Sequence, residues 1–275
     1  MLFDFSDYDQ LLPLVTNSLW AGAILALIGG LIGVFVVNRE LSFAVHGVSE
    51  LSFAGAAIAL LIGLDVVMGS VIGSVTAAAI LAVMGNKAKD RNSIVAVLMP
   101  FGLGIGILAL SLYPGRAANK FGLLTGQIVA VDDPKLEALA IIGAIVIATL
   151  IFIWRPLSFA TLDPEVAAAR GVPVRLLGIL FMLLLGLAVA GAVQIVGALL
   201  VLSLLVTPAA AALRLSSSQL WVPVLSVLFA LVSMLGGILL ALGAGLPISP
   251  YVTTISFLIY LVARGIEWTR GKARA

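Results

Sequence analysis

The chain repeatedly runs for about 20 residues with almost no charge, the length a helix needs to cross the hydrocarbon of a bilayer. Such stretches fall roughly at 16–37, 45–64, 66–85, 93–113, 135–154, 175–191, 194–213, 221–243 and 248–265. In lipid the backbone must satisfy its own hydrogen bonds, so each run is expected as a helix. Barrel strands would alternate apolar and polar residues, and these runs do not. That makes nine candidate spans, or eight if one is re-entrant or interfacial. The run from 175 to 213 is long enough for two helices, with the break expected at Gly191. Composition agrees. The chain is 62% hydrophobic and 10% charged, with mean hydropathy +1.24, whereas a soluble domain has about half apolar and a quarter charged residues. The expected fold class is an all-α polytopic membrane protein, with one transmembrane domain over residues 1–275.

Charge asymmetry gives the orientation. With the N-terminus outside and the C-terminus inside, all 15 basic residues fall on the inner side except Arg116, Lys120 and Lys135. Met1–Gln10 is acidic and has no basic leader ahead of a short apolar core, so no cleavable signal peptide is expected. Residues 1–15 read instead as a short interfacial segment.

Whole classes of chemistry are excluded. With no cysteine there is no disulfide, thiolate metal site or cysteine nucleophile. No G-x-x-x-x-G-K-[ST] phosphate loop, H-E-x-x-H or G-x-S-x-G motif occurs, and a single histidine leaves little room for catalysis. No basic, aromatic-interleaved face points to nucleic acid. The reading is a non-catalytic chain with no permanently bound cofactor.

Within the second span, Leu41–Leu64, lies the only histidine, His46, with Glu50 one turn later and Ser42 one turn earlier. Spaced by four, the three share one helix face. Imidazole and carboxylate suit zinc, manganese or iron, and ionisable groups inside a span mark a functional path by default. The ordinary alternatives are a histidine satisfied by a backbone carbonyl or one lying at the interface. Gln194, Ser203 and Thr207 are further candidates for lining a path, each otherwise an interhelical hydrogen bond. The pairs Gly29/Gly33, Gly69/Gly73 and Gly102/Gly106 have the small-xxx-small spacing of close helix approach. Pro100, Pro208 and Pro223 are expected to kink or end their helices. In the outer loop, Phe121–Val131 is apolar but too short to cross, and reads as re-entrant or interfacial. Asp132 and Asp133 either attract cations there or begin a helix.

A second informative stretch is the inner segment at about 155–174. Asp163 suits an N-cap, Pro164 the first helical position and Glu165 the first turn; Ala168 lies in the Ala-rich body, Arg170 near the end, and Gly171 is the stop. The product is a helix of about two turns, either a capped connector or a knob for a partner.

In order along nearly the whole chain come NRELSF, the His46/Glu50 helix ending SFAGAAIAL, FGLLTGQIVAV, LDPEVAAARGV and LLVTPAAAAL. This pattern resembles the permease subunits of bacterial manganese, zinc and iron ABC importers. The resemblance implies a multi-pass protein of the bacterial cytoplasmic membrane that moves a divalent metal as substrate. It implies as partners a cytoplasmic ATPase, an extracytoplasmic metal-binding protein and a second permease copy or close paralogue. LDPEVAAARGV would be the coupling helix seated in the ATPase. Many members have Asp where this chain has His46, His where it has Glu50, and Pro-Gly at Ala54-Gly55; here acid and imidazole are interchanged. The alternatives are a permease for a metal chelate, or a secondary transporter that needs no ATPase.

Overall fold

The structure is a computed structural model, and it describes residues 12–84, 88–115, 131–244 and 248–272. After a 3-10 turn at Leu12–Val15 come α1 (Thr16–Asn38), α2 (Ser42–Ile62), α3 (Val66–Met84), α4 (Ala88–Leu112) and α5 (Asp133–Leu162). Then follow α6 (Pro164–Ala169), α7 (Val174–Val196), α8 (Ala198–Leu215), α9 (Trp221–Ala244) and α10 (Ile248–Lys272). No strand occurs among the described residues. Eight of these helices are long and apolar enough to cross a bilayer, and the apolar part of α8, Leu200–Leu215, is shorter. This is a multi-pass membrane protein.

Two boundaries differ from expectation. The break in the long apolar run comes at Gly197 rather than Gly191. Gly197 has φ 79°, a left-handed conformation that glycine adopts without a Cβ penalty, whereas Gly191 is buried inside α7. The fifth span passes Pro156 and stays helical to Leu162, so the non-helical part of the expected 155–174 segment is confined to the flanks of α6. A proline removes one backbone bond, a loss that a 30-residue helix sustains. Pro100 and Pro208 likewise lie inside helices. Pro223 neither kinks nor ends one, because it sits in the first turn of α9, where its missing N–H has no intrahelical partner to lose.

The contacts divide the chain into two compact units. One comprises the described parts of 1–37, 127–140 and 202–275; the other those of 38–126 and 141–201. In the first, Gly29 packs on Leu204 and Gly33 on Leu205 and Ala209, so α1 and α8 run in the same direction. Gly22 meets Met234 and Ile238 while Gly30 meets Val227, which sets α9 antiparallel to α1. Gly236 and Gly237 reach Ile255 and Val252, turning α10 back again. Ser226 Oγ donates to the Gly30 carbonyl at 2.7 Å, and Val34, Ala209, Ala212 and Val222 close a buried cluster. Asn17 Nδ2 donates to Asp133 Oδ1 at 2.7 Å and to the Val131 carbonyl at 3.3 Å, so Asp133 belongs to a helix start.

In the second unit, Gly55 faces Gly69 and Gly73, so α2 and α3 form an antiparallel pair whose backbones leave no space for a Cβ. Gly47 meets Val95, Gly102 meets Leu51 and Gly106 meets Phe53, so α4 runs parallel to α2. All three small-residue pairs are thus used for packing within the chain. Ser52 Oγ and Ser70 Oγ lie 2.7 Å apart, and Ser70 Oγ donates to the Ala190 carbonyl at 3.3 Å, which pins α2, α3 and α7 together. The expected re-entrant stretch Phe121–Val131 lies outside the described residues apart from Val131, as do Lys87 and Lys120.

Candidate functional site

The connection that launches α2 is only three residues long, Arg39–Leu41, and Glu40 takes φ 55° to make the turn. Arg91 in the first turn of α4 steadies it, with Nη2 donating to the carbonyls of Arg39 and Glu40, both at 3.3 Å. Burial, and next the like charge of Arg91, work against the charged form of Arg39. Its guanidinium stays in place 5.6 Å from the centroid of the Phe181 ring. At its far end α2 closes on Gly63, with Leu64 N donating to the Ala59 carbonyl at 2.8 Å. Asp65 then caps α3 through Met68 N at 2.7 Å.

Helical spacing brings His46 and Glu50 together as the sequence implies. His46 Nε2 is 3.8 Å from Glu50 Oε1, with side-chain exposures of 28% and 4%. That is too long for a hydrogen bond. It falls within the roughly 4 Å that two donors, each about 2.1 Å from one ion, can span. The outer atoms are also unengaged: among the described residues His46 Nδ1 and Glu50 Oε2 are buried with no hydrogen-bond partner. A buried carboxylate oxygen without a donor is costly for folding, so the pair has donor capacity that the chain itself leaves unused. Ser42 stands half-buried at the head of the same face. No group of three or more His, Cys, Asp or Glu able to hold a metal occurs among the described residues.

The secondary candidates separate. Gln194 Nε2 donates to the Val66 carbonyl at 3.4 Å, an interhelical bond within the second unit. Thr207 is half-buried in α8, one residue before Pro208. Asp132 pairs with Lys135 at 3.5 Å, the helix-start alternative.

Around α6 the expected caps are all present. Asp163 Oδ1 accepts from Val166 N at 3.0 Å, Pro164 opens the helix, and Arg170 is the C-cap. Gly171 follows with φ 82°, its N–H donating to the Ala168 carbonyl at 3.0 Å. Glu165, Val166, Ala168 and Ala169 are exposed, while Ala167 is fully buried. The alanines are therefore not one face: Ala167 anchors the helix, and its neighbours present the free surface. In the sequence Arg39, Arg91 and Arg175 figure only among the basic residues of the inner side, whereas the structure gathers them around one cavity with Pro164, Glu165 and Ala168.

The sequence profile of the ABC 3 transport family matches residues 12–266. The chain belongs to this family. It is 32% identical over 234 residues to the manganese transport system membrane protein MntC of Halalkalibacterium halodurans, covering 84% of this chain and 80% of that protein. It is 25% identical to the high-affinity zinc uptake system membrane protein ZnuB of Haemophilus influenzae, covering 90% of this chain and 95% of the relative. Among solved structures, PsaBC from Streptococcus pneumoniae in complex with a Fab superposes with a TM-score of 0.81 at 24% identity. It covers 90% of this chain and 89% of that one. That likeness speaks for the fold, and family membership makes the chain a transport subunit.

Proposed function

We propose that this chain acts as a single permease domain of an ATP-driven importer that carries a divalent transition metal into the cell. ATP hydrolysis belongs to a separate cytoplasmic subunit, delivery to an extracytoplasmic metal-binding protein, and the channel to two permease copies or close paralogues. The observation that carries the reading is the His46–Glu50 pair, two metal-competent donors in a span at a separation that fits one ion. Manganese and zinc relatives support the substrate class; iron suits the same donors. Two protein ligands hold an ion more weakly than the three or four of a resident zinc site, which fits an ion in transit. Ser42, Gln194 and Thr207 are its secondary path residues, and Asp163, Pro164, Glu165, Ala168, Arg170 and Gly171 form the element that receives the ATPase stroke.

Reconstituted with its ATPase in vesicles, the permease should take up manganese or zinc only when ATP is supplied, and the competing ions should rank its preference. Uptake without the ATPase, or of chelated metal alone, would overturn the reading. The orientation, N-terminus out and C-terminus in, rests on the arginine and lysine count. The two direction changes along α1, α8, α9 and α10 leave α10 parallel to α1, which supports placing the two termini on opposite faces. In intact cells a cysteine placed at Arg170 or Lys272 should be shielded from impermeant thiol reagents, and one at Lys120 should react. The chain has no native cysteine to obscure the result. Labelling at Arg170 in intact cells would reverse the assignment.

A further inference from the structure

Three arginines that the transport path does not use converge on one cavity in the second unit. Arg39 lies between α1 and α2, Arg91 in the first turn of α4, and Arg175 at the second position of α7. With Leu81, Phe181 and Met182 they line a space of about 940 Å³, which Glu165 of α6 also borders. Each arginine stands at the end of a spanning helix. Helices α2 and α4 run parallel, and α3 runs antiparallel to α2. Helix α7 is in turn antiparallel to α3, with Gly186 on Ser74 and Ala78 and Ser70 on Ala190. These ends therefore lie on one side, where the end of a span meets the lipid headgroups. Basic pockets at that depth are suited to phosphate.

The Glu40 carboxylate offsets part of the charge of Arg91, but no ion pair among the described residues closes on the three arginines. Among the described residues Arg39 Nη1 and Arg91 Nε are buried without a hydrogen-bond partner. The two inner guanidiniums are also held in position, Arg39 by the Phe181 ring and Arg91 by the carbonyls of Arg39 and Glu40. Two like charges brought together with free N–H groups form a receptor for an oxyanion, which a planar guanidinium meets in forked geometry. A phosphate offers more oxygens than a carboxylate for two guanidiniums to share.

We propose that this cavity binds a phosphate-bearing anion, with Arg39 and Arg91 as its inner donors and Arg175 at its rim. The source is the headgroup of an anionic phospholipid or a soluble phosphate compound. The apolar wall of Leu81, Phe181 and Met182 favours the lipid, whose glycerol and upper acyl carbons would lie against it. The inference does not depend on which ion is carried or on which face is cytoplasmic. An anion seated there would also tie α6 to α7 through the cavity they share.

The test uses the delipidated full chain in neutral detergent. Melting curves are recorded against short-chain phosphatidylglycerol, the matching phosphatidylcholine and inorganic phosphate. Phosphatidylglycerol should raise the melting temperature saturably, and phosphatidylcholine should not. An equal saturable rise with inorganic phosphate would support the site and name the soluble source. Arg39→Gln and Arg91→Gln should each weaken the apparent affinity on the order of tenfold. Arg175→Gln, at an exposed position and so harmless to folding, should weaken it less. Arg155→Gln removes an equal charge outside the cavity and should change nothing. A wild-type chain with no saturable response, or an Arg155 variant that loses as much as the cavity variants, would overturn the site. So would loss of ATPase co-purification, with no lipid effect, in the Arg39 and Arg91 variants; that result would assign the cavity to an acidic protein segment.

Discussion

Metal uptake is expected to fall to background when either His46 or Glu50 is replaced by alanine, with the subunit still assembled in the membrane. The two side chains face each other at 3.8 Å and leave Nδ1 and Oε2 without partners. Their removal therefore deletes donors to a passing ion while breaking no hydrogen bond seen among the described residues. Glu50 is nearly enclosed, and an unanswered carboxylate in such a place is a burden on folding. Alanine there leaves a small void but relieves that burden, so the variant should remain folded. Glu50→Gln keeps the shape and loses the charge, and should be almost as defective. The double exchange His46→Asp with Glu50→His reproduces the acid-then-imidazole order of the resembling family and should restore part of the uptake. Measurement is by metal uptake into vesicles, alongside the amount of permease recovered with its ATPase. Normal transport by both alanine variants would move the site elsewhere. The other acidic candidates are already engaged: Asp65 caps α3, Asp132 pairs with Lys135, and Asp133 accepts from Asn17.

What could be read from the sequence follows the range of the forces concerned. The His46–Glu50 face depends only on helical spacing, and it appeared as expected. The caps of α6 are equally local, since Asp163, Pro164 and Gly171 each act within a few residues. The glycine spacings announced close approach but not the partner, and α1 meets α8 where a second subunit would have served as well. Gly191 and Gly197 were indistinguishable as breaks, because tertiary packing rather than local sequence selects which glycine takes the positive φ. The Arg39, Arg91 and Arg175 cavity was invisible for the same reason: its members come from connections 52 and 84 residues apart in the chain. Each of the three looked like any positive charge at a span end.

Placing a bulky charge at Ala168 is expected to uncouple the permease from ATP. Helix α6 has six residues, too few to be stable alone in water. Its shape comes from the Asp163 cap, the Gly171 turn and the burial of Ala167 against the rest of the second unit. Val166 is 47% exposed, and Ala168 and Ala169 are exposed beside it. That small apolar surface suits close seating in a partner groove. Ala168→Glu adds volume and an unpaired charge to such an interface, both of which oppose association. ATPase co-purification and ATP-driven uptake should fall together, with little change in the permease's own melting temperature. Ala168 also borders the arginine cavity, so Ala169→Glu is the companion variant: it lies off the cavity and should uncouple in the same way. Ala167→Glu should instead destabilise the permease itself, because that side chain has no exposed surface. Asp163→Ala removes one cap bond, costs about 1 kcal/mol locally, and should weaken coupling more mildly than either charge. If the Ala168 and Ala169 variants still bind the ATPase and transport normally, α6 is a connector, and the ATPase contact must be sought on another surface.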